Sequence, residues 1–177
     1  MKIGNPRFFK KSQDILAMRQ QRLSKRVKGS HRRDKARVLV AKAHEKISNQ
    51  RRDFHFKVAN QLVRFYDTIC IERMDAWDST TPLNRSMRDA AWFGFFDILR
   101  WKAECAARVV IEVPARDTSQ LCSRCGARVP KDLSVRIHSC PSCGLSIDRD
   151  INAALNILRL GQSRQDSLAQ ALRIPAL

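Results

Sequence analysis

The sequence predicts an α/β core that carries a long basic helical hairpin and an inserted zinc ribbon. Three observations point there: two short β-branched segments alternate with helical patterns, two Cys-x-x-Cys pairs lie close together, and positive charge is concentrated in one half of the chain. The 177 residues suffice for one domain of ordinary size plus a small appendix. Hydrophobic residues make up 44% and charged residues 29%, which provides material for a core and argues against disorder. No run of about 18 apolar residues suggests a membrane span. The opening Met1-Lys2-Ile3-Gly4-Asn5-Pro6 has no apolar stretch of signal-peptide length, so neither membrane nor secretion finds support.

The charge divides the chain. Lys and Arg total 34 against 17 acids, a formal net charge of +17. Residues 1–64 hold 19 Lys or Arg against four acids (Asp14, Asp34, Glu45, Asp53), whereas residues 65–177 are nearly balanced. A solvated helical face usually mixes both signs, so the one-sided excess favours phosphate contact over a bland surface. Nucleic acid is the expected partner, bound with an affinity that falls steeply with salt.

Taken in order, Ser12 to Lys28 sets Leu16, Leu23 and Val27 among Arg19, Arg22, Lys25 and Arg26, a thin apolar stripe on a basic helix that Gly29-Ser30 breaks. From Lys35 to Phe65, the residues Val40, Ala43, Ile47, Phe54, Val58, Leu62 and Phe65 recur at helical spacing. The two helices form a hairpin over 12–66. Asp67 to Glu72 is β-branched and apolar and reads as a buried strand. Ser79 to Asn84, with Pro82 and three hydroxyl residues, reads as a loop. Ser86 to Ala107 is helical, with Trp92, Phe93, Phe96, Leu99 and Ala103 on one side, and Arg108 to Val113 is a second strand stopped by Pro114. Asp150 to Leu160 is a short helix that Gly161 would cap, and 162–177 reads as a frayed tail.

The strongest local signal is the pair of motifs Cys122-Ser-Arg-Cys125 and Cys140-Pro-Ser-Cys143, 14 residues apart. Each places two thiolates on one side of a tight turn, and together they complete a tetrahedral sulfur cage for Zn²⁺. Gly126 and Gly144 follow the second cysteine of each pair, where the turn needs positive φ. Disulfides or unlinked thiols are the alternatives. Four protein ligands leave no open position, so the role is structural. His138 is superfluous to the quartet, and Cys70 and Cys105 read as buried, inert thiols. Glu72, at a strand end, and Asp150, at a helix start, are candidates to share a hard cation such as Mg²⁺ or Mn²⁺. Spacing alone favours the plainer reading of a surface Glu and an N-capping Asp.

The wider order of motifs is Asn5-Pro6-Arg7-Phe8, Lys28-Gly29-Ser30, Asn49-Gln50-Arg51-Arg52-Asp53-Phe54, Ile71-Glu72, Asp117-Thr118-Ser119-Gln120-Leu121-Cys122, Cys140-Pro-Ser-Cys143-Gly144 and Asp148-Arg149-Asp150-Ile151-Asn152-Ala153-Ala154. This run resembles the C-terminal part of the TnpB/OrfB family of insertion sequences, related to the compact type V CRISPR effector nucleases. The resemblance extends from Lys2 to Gly161. It implies an RNA-guided, metal-dependent DNA endonuclease, with a RuvC-like domain of RNase H fold over 1–116 and 145–161 and a zinc ribbon over 117–144. It further implies that Glu72 and Asp150 are the second and third of three catalytic acids and that Asp148 supports them. Its implied partners are DNA and a guide RNA–DNA duplex whose backbone the basic hairpin would meet. Arg19, Arg22, Lys25, Arg26, Lys28, Arg32, Arg33, Arg51 and Arg52 are the expected contacts, and the expected location is the bacterial cytoplasm, at the nucleoid.

In that family the first catalytic Asp lies on a strand upstream of the Asn-Pro-Arg motif, in a setting resembling Gly-x-Asp-x-Gly, and no Asp here matches it. The expectation is therefore a partial RuvC-like domain lacking its first strand, able to bind nucleic acid and zinc but not to cut DNA efficiently alone. Two other readings stay open. One is a non-catalytic nucleic-acid-binding or regulatory zinc-ribbon protein, and the other is a chain that regains activity with a separately encoded N-terminal half.

Overall fold

The computed structural model describes residues 3–73, 89–132 and 134–171. The elements are α1 (Phe8–Ser24), α2 (His31–Phe65), β1 (Thr68–Arg73), α3 (Trp92–Cys105), β2 (Val109–Pro114), β3 (Ile137–Ser139), β4 (Ser146–Asp148) and α4 (Arg149–Ala171). They fall into two compact units, one of Met1–Phe65 with Ala76–Ala106 and one of Tyr66–Asp75 with Ala107–Leu177.

The first unit is helical. The hairpin of α1 and α2 forms as the periodicity predicts, but both helices begin four residues before the predicted starts because side chains cap them. Asp89 accepts from the amides of Phe9 (3.0 Å) and Lys10 (3.4 Å), satisfying donors that the first turn of α1 leaves free. Ser30 Oγ accepts from the amide of Arg33 at 3.2 Å and so opens α2 at His31. Gly29, at φ +80°, turns the chain between the helices. The Arg33 guanidinium then binds the carbonyls of Leu23 and Arg26 at the end of α1. Leu16 of α1 and Ala43 and Ile47 of α2 form a small core, joined by Phe8.

Along its 35 residues, about 52 Å at 1.5 Å per residue, α2 turns a second buried stretch toward α3. His55, Val58, Ala59 and Val63 are buried on α2, and Leu99 and Ala103 on α3. The His55 ring meets Phe95 edge-on at 5.6 Å. Trp92 and Phe93, predicted to lie on one side of α3 with Leu99 and Ala103, are substantially exposed. The predicted loop at 79–84 and the predicted helix start at 86 lie outside the described residues.

The second unit has two small sheets. β1 and β2 run parallel, with Cys70 opposite Ile111 and Glu72 opposite Val113. β3 and β4 form an antiparallel hairpin with His138 opposite Ile147. Helix α4 packs on the parallel pair and does not end at Leu160: it continues through Gly161 to Ala171. Gly161 is thus a buried interior residue of the helix rather than its cap, and residues 162–171 are helical rather than a frayed tail. A Cβ at position 161 would come within 3.0 Å of Cys70 Cβ and closer still to Cys70 Sγ. Close approach of helix to strand, not helix termination, is what the glycine allows.

Candidate metal centre and candidate acids

Two knuckles of the same geometry build the metal centre. In the first, the Cys122 amide donates to the Ala127 carbonyl and the Gly126 amide to the Cys122 carbonyl, both at 2.9 Å. In the second, the Cys140 amide donates to the Leu145 carbonyl at 2.8 Å and the Gly144 amide to the Cys140 carbonyl at 3.0 Å. Gly126 and Gly144 sit at φ +76° and +72°, the left-handed backbone their positions required. The four sulfurs lie within 4.8 Å of one another, with Cys122 to Cys143 and Cys125 to Cys140 at 3.6 Å. A disulfide needs about 2.05 Å, so these thiols are not bonded to each other. Four sulfurs placed tetrahedrally about 2.3 Å from a metal would be about 3.8 Å apart. The quartet can therefore hold a metal ion such as zinc.

The thiol electrostatics suit that task. Burial pushes the Cys140 thiol up, but the amides of Cys143 and Ser142 and the thiols of Cys125 and Cys143 outweigh it and bring the group down to about 6. Burial likewise opposes ionisation of Cys122, yet the amides of Cys125 and Arg124 lead the contacts that hold it below the ordinary thiol value. At Cys143 the Leu145 amide favours the thiolate, but burial and the three neighbouring thiols together raise the group to about 12. The first cysteine of each knuckle is thus held below the ordinary thiol value, and metal binding displaces whatever protons the quartet retains.

Two asparagines tie this centre to α4. Asn152, fully buried, donates to the Leu121 carbonyl at 2.7 Å and accepts from the Ser123 amide at 2.9 Å. Asn156, one helical turn on, donates to the carbonyls of Thr118 and Leu121, both at 2.8 Å. The Thr118-Ser119 approach and the first knuckle are thereby clamped on the helix that carries Asp150. His138, in the middle of β3, is fully buried and bonds Lys131 through Nδ1, consistent with a hairpin residue rather than a ligand.

The acids stand differently. Glu72 is half-buried near the end of β1, and burial pushes its carboxyl above the usual range. Asp150 lies in the first turn of α4, 75% exposed, with Oδ1 3.6 Å from Arg149 Nε. Capping of that turn falls to Asp148, whose Oδ1 accepts from the amides of Asp150 (2.8 Å) and Ile151 (3.3 Å). Among the described residues, the four cysteines are the one group of three or more His, Cys, Asp or Glu that could hold a metal.

Comparison with known proteins places this arrangement. A family model described as "Probable transposase" (OrfB_IS605) matches residues 1–80, and one described as "Cas12f1-like, TNB domain" matches residues 92–157. Two segments that together span most of the chain thus resemble the TnpB/OrfB and Cas12f1-like families. The chain is 37% identical over 164 residues to a "Putative RNA-guided DNA endonuclease" of Streptomyces pristinaespiralis, a match that covers 90% of this chain and 40% of that one. It is 30% identical over 173 residues to InsQ of Escherichia coli, which carries the same description, across 88% of this chain and 43% of the other. The chain therefore spans less than half the length of these relatives. Its fold resembles Cas12f1 in a cryo-EM structure of the Cas12f1–sgRNA–target DNA complex, with a TM-score of 0.63 and 19% identity over 89% of this chain and 43% of that one.

In this chain the nine basic residues predicted as nucleic-acid contacts divide into two groups. Arg22, Lys25, Arg26, Lys28, Arg32 and Arg52 are exposed. The other three bind the protein itself: Arg19 donates to the Leu39 carbonyl at 2.8 Å, Arg33 closes the hairpin turn, and Arg51 pairs with Asp89 at 2.8 Å in largely buried surroundings. Arg51 is thus engaged as a structural cation. Asp89, which joins Arg51 to the start of α1, carries no motif in the sequence that marks it. The Asn152 and Asn156 spacing (i, i+4 on a helix) was the available signal for the clamp. Cys105, expected to be buried, is exposed at the end of α3.

Proposed function

We propose that the chain forms the zinc-ribbon-bearing part of a RuvC-like nuclease domain, as in a transposon-encoded RNA-guided DNA endonuclease, and binds nucleic acid through its basic hairpin. The observation that carries this reading is the sulfur quartet clamped by Asn152 and Asn156 on the same helix as Asp150, in the unit that also holds Glu72 on β1. Zinc in the quartet would be structural, since four thiolates complete its coordination.

For the chemistry, Glu72 and Asp150 are proposed as two of three carboxylates. Glu72 fits a hard cation: a half-buried carboxylate without enough solvation is a site where bound positive charge offsets the cost of ionisation. When bound, Mg²⁺ or Mn²⁺ would activate a water and stabilise the leaving 3′-oxygen. The strand backbone fixes the position of Glu72, and the Asp148 cap fixes the turn that presents Asp150. Two carboxylates without a third leave the attacking water poorly positioned, and misplacement alone can cost orders of magnitude. A strand added beside β1, opposite β2, is where a partner carrying the third acid would dock. The 177-residue chain by itself is therefore expected to bind nucleic acid and not to cleave it.

The test combines binding and cleavage by the zinc-loaded chain with single-stranded DNA and Mg²⁺ or Mn²⁺. Affinity that falls steeply with salt, one zinc per chain, and no cutting agree with the proposal. Robust cutting that Glu72→Gln abolishes would overturn the inactivity. A zinc ratio near zero would remove the ribbon. A second reading, nucleic-acid binding with no chemistry in any context, is favoured by the exposure of Asp150 and its pairing with Arg149. Restoration of cleavage by an added N-terminal half, lost again in Asp150→Asn, would reject it.

A further inference from the structure

On the helical unit, two cations and two aromatic rings meet where α2 packs against α3. Phe56 of α2 and Trp101 of α3 contact edge-to-face, with ring centroids 6.0 Å apart and planes at 85°. The Arg52 guanidinium lies 5.7 Å from the Phe56 ring, and Lys102 Nζ lies 5.5 Å from Phe56 and 5.1 Å from Trp101. Trp101 is 52% exposed, a large share for an indole in a helical unit whose neighbouring Leu99 and Ala103 are almost fully buried. Among the described residues neither Arg52 nor Lys102 forms a salt bridge, although Lys57 and Arg100 nearby do.

From this cluster we infer a stacking site for an unpaired base of single-stranded DNA, with Trp101 as the platform and Arg52 and Lys102 as the flanking phosphate contacts. The inference rests on the proposal that the chain binds nucleic acid, and it adds which form of nucleic acid this surface selects. The argument is one of complementary chemistry. An exposed indole offers a π-face that any base can cover, and cations set beside it follow the phosphates that accompany that base. A paired duplex hides its base faces inside the stack and could use only the cations. A ribose 2′-hydroxyl could accept from Arg52 or Lys102, so the cluster itself reads bases and phosphates; we assign the strand as DNA from the DNA-endonuclease reading on which the inference rests, and oligouridylate tests that assignment.

The experiment measures binding of the zinc-loaded chain to labelled oligothymidylate of about 20 nucleotides, to a DNA duplex of equal length and to oligouridylate, at several salt concentrations. Trp101→Leu keeps apolar bulk against Phe56 but removes the π-face, and Trp101→Phe restores a smaller one; circular dichroism confirms that each folds. Trp101→Leu should weaken oligothymidylate binding about 5- to 150-fold, with partial recovery in Trp101→Phe and duplex affinity unchanged. Lys102→Gln should reduce the salt slope on the single strand by about 0.7. Equal losses on single strand and duplex, or no loss on either, would overturn the stacking site while leaving nucleic-acid binding intact. Tighter binding to oligouridylate would overturn the assignment to DNA. If the wild-type chain binds none of the three at low salt, the nucleic-acid reading itself fails and this one with it.

Discussion

Replacing Gly161 with alanine sets two physical effects against each other, and the structure decides between them. Seen only as a helix-interior position, Gly161→Ala should stabilise by about 1 kcal/mol, because alanine loses less backbone entropy on folding. Packing opposes this. The new Cβ would lie 3.0 Å from Cys70 Cβ and closer to its sulfur, where carbon and sulfur need about 3.5–4.0 Å. A different Cys70 rotamer moves the sulfur but not its Cβ, so α4 and β1 must separate. Overpacking of this kind costs about 1–3 kcal/mol. The net expectation is destabilisation of about 1 kcal/mol, which in a domain of 60–100 residues lowers Tm by about 4–8 °C. The assay is thermal unfolding followed by circular dichroism, with zinc held at constant excess because metal binding itself shifts Tm. Adding Cys70→Ala removes the sulfur, so the double variant should recover part of the loss, a coupling that a double-mutant cycle reads directly. A higher Tm in Gly161→Ala than in the wild type would refute the close approach and return position 161 to an ordinary helical site.

Two further outcomes follow from the same geometry. Asn152→Ala leaves the Ser123 amide without its acceptor beside the first knuckle, while Leu121 keeps its bond from Asn156; we expect a cost of about 1–3 kcal/mol and faster zinc loss to a chelator, and unchanged chelation kinetics would show that the clamp does not support the metal centre. Burial leads the effects that lower the pKa of His55, with Arg51 adding to it and the Ala90 carbonyl opposing it, so the unfolded chain binds a proton that the folded chain resists. His55 therefore contributes stability that is complete above its unfolded value of about 6.5 and is lost as pH falls through its lower folded value. His55→Gln should flatten the fall in Tm between pH 7 and pH 5 relative to wild type, and an identical pH profile would remove His55 from the account.

The sequence was most informative where chemistry restricts residue type and spacing. Two Cys-x-x-Cys pairs, each followed by glycine, have few other uses, and the sulfurs converge as that spacing implies. The ordered motifs likewise carry the resemblance to the TnpB/OrfB family. Hydrophobic periodicity located the hairpin, the two parallel strands and the start of the last helix, because burial of one face recurs every three or four residues in a helix and a short β-branched run favours a strand. It did not locate the helix starts, since the groups that fix them act from outside the periodic segment: Asp89 lies 80 residues from the Phe9 amide it accepts. Glycine at 161 was ambiguous in sequence because the same missing side chain ends a helix or admits a neighbouring strand, and only the position of Cys70 distinguishes the two. Arginine was ambiguous for a similar reason. A guanidinium can meet a phosphate or a carboxylate, and whether Arg51 faces solvent or Asp89 depends on a partner 38 residues away. Residue type thus set the available chemistry, and the chain's long-range contacts selected which of those options each residue takes.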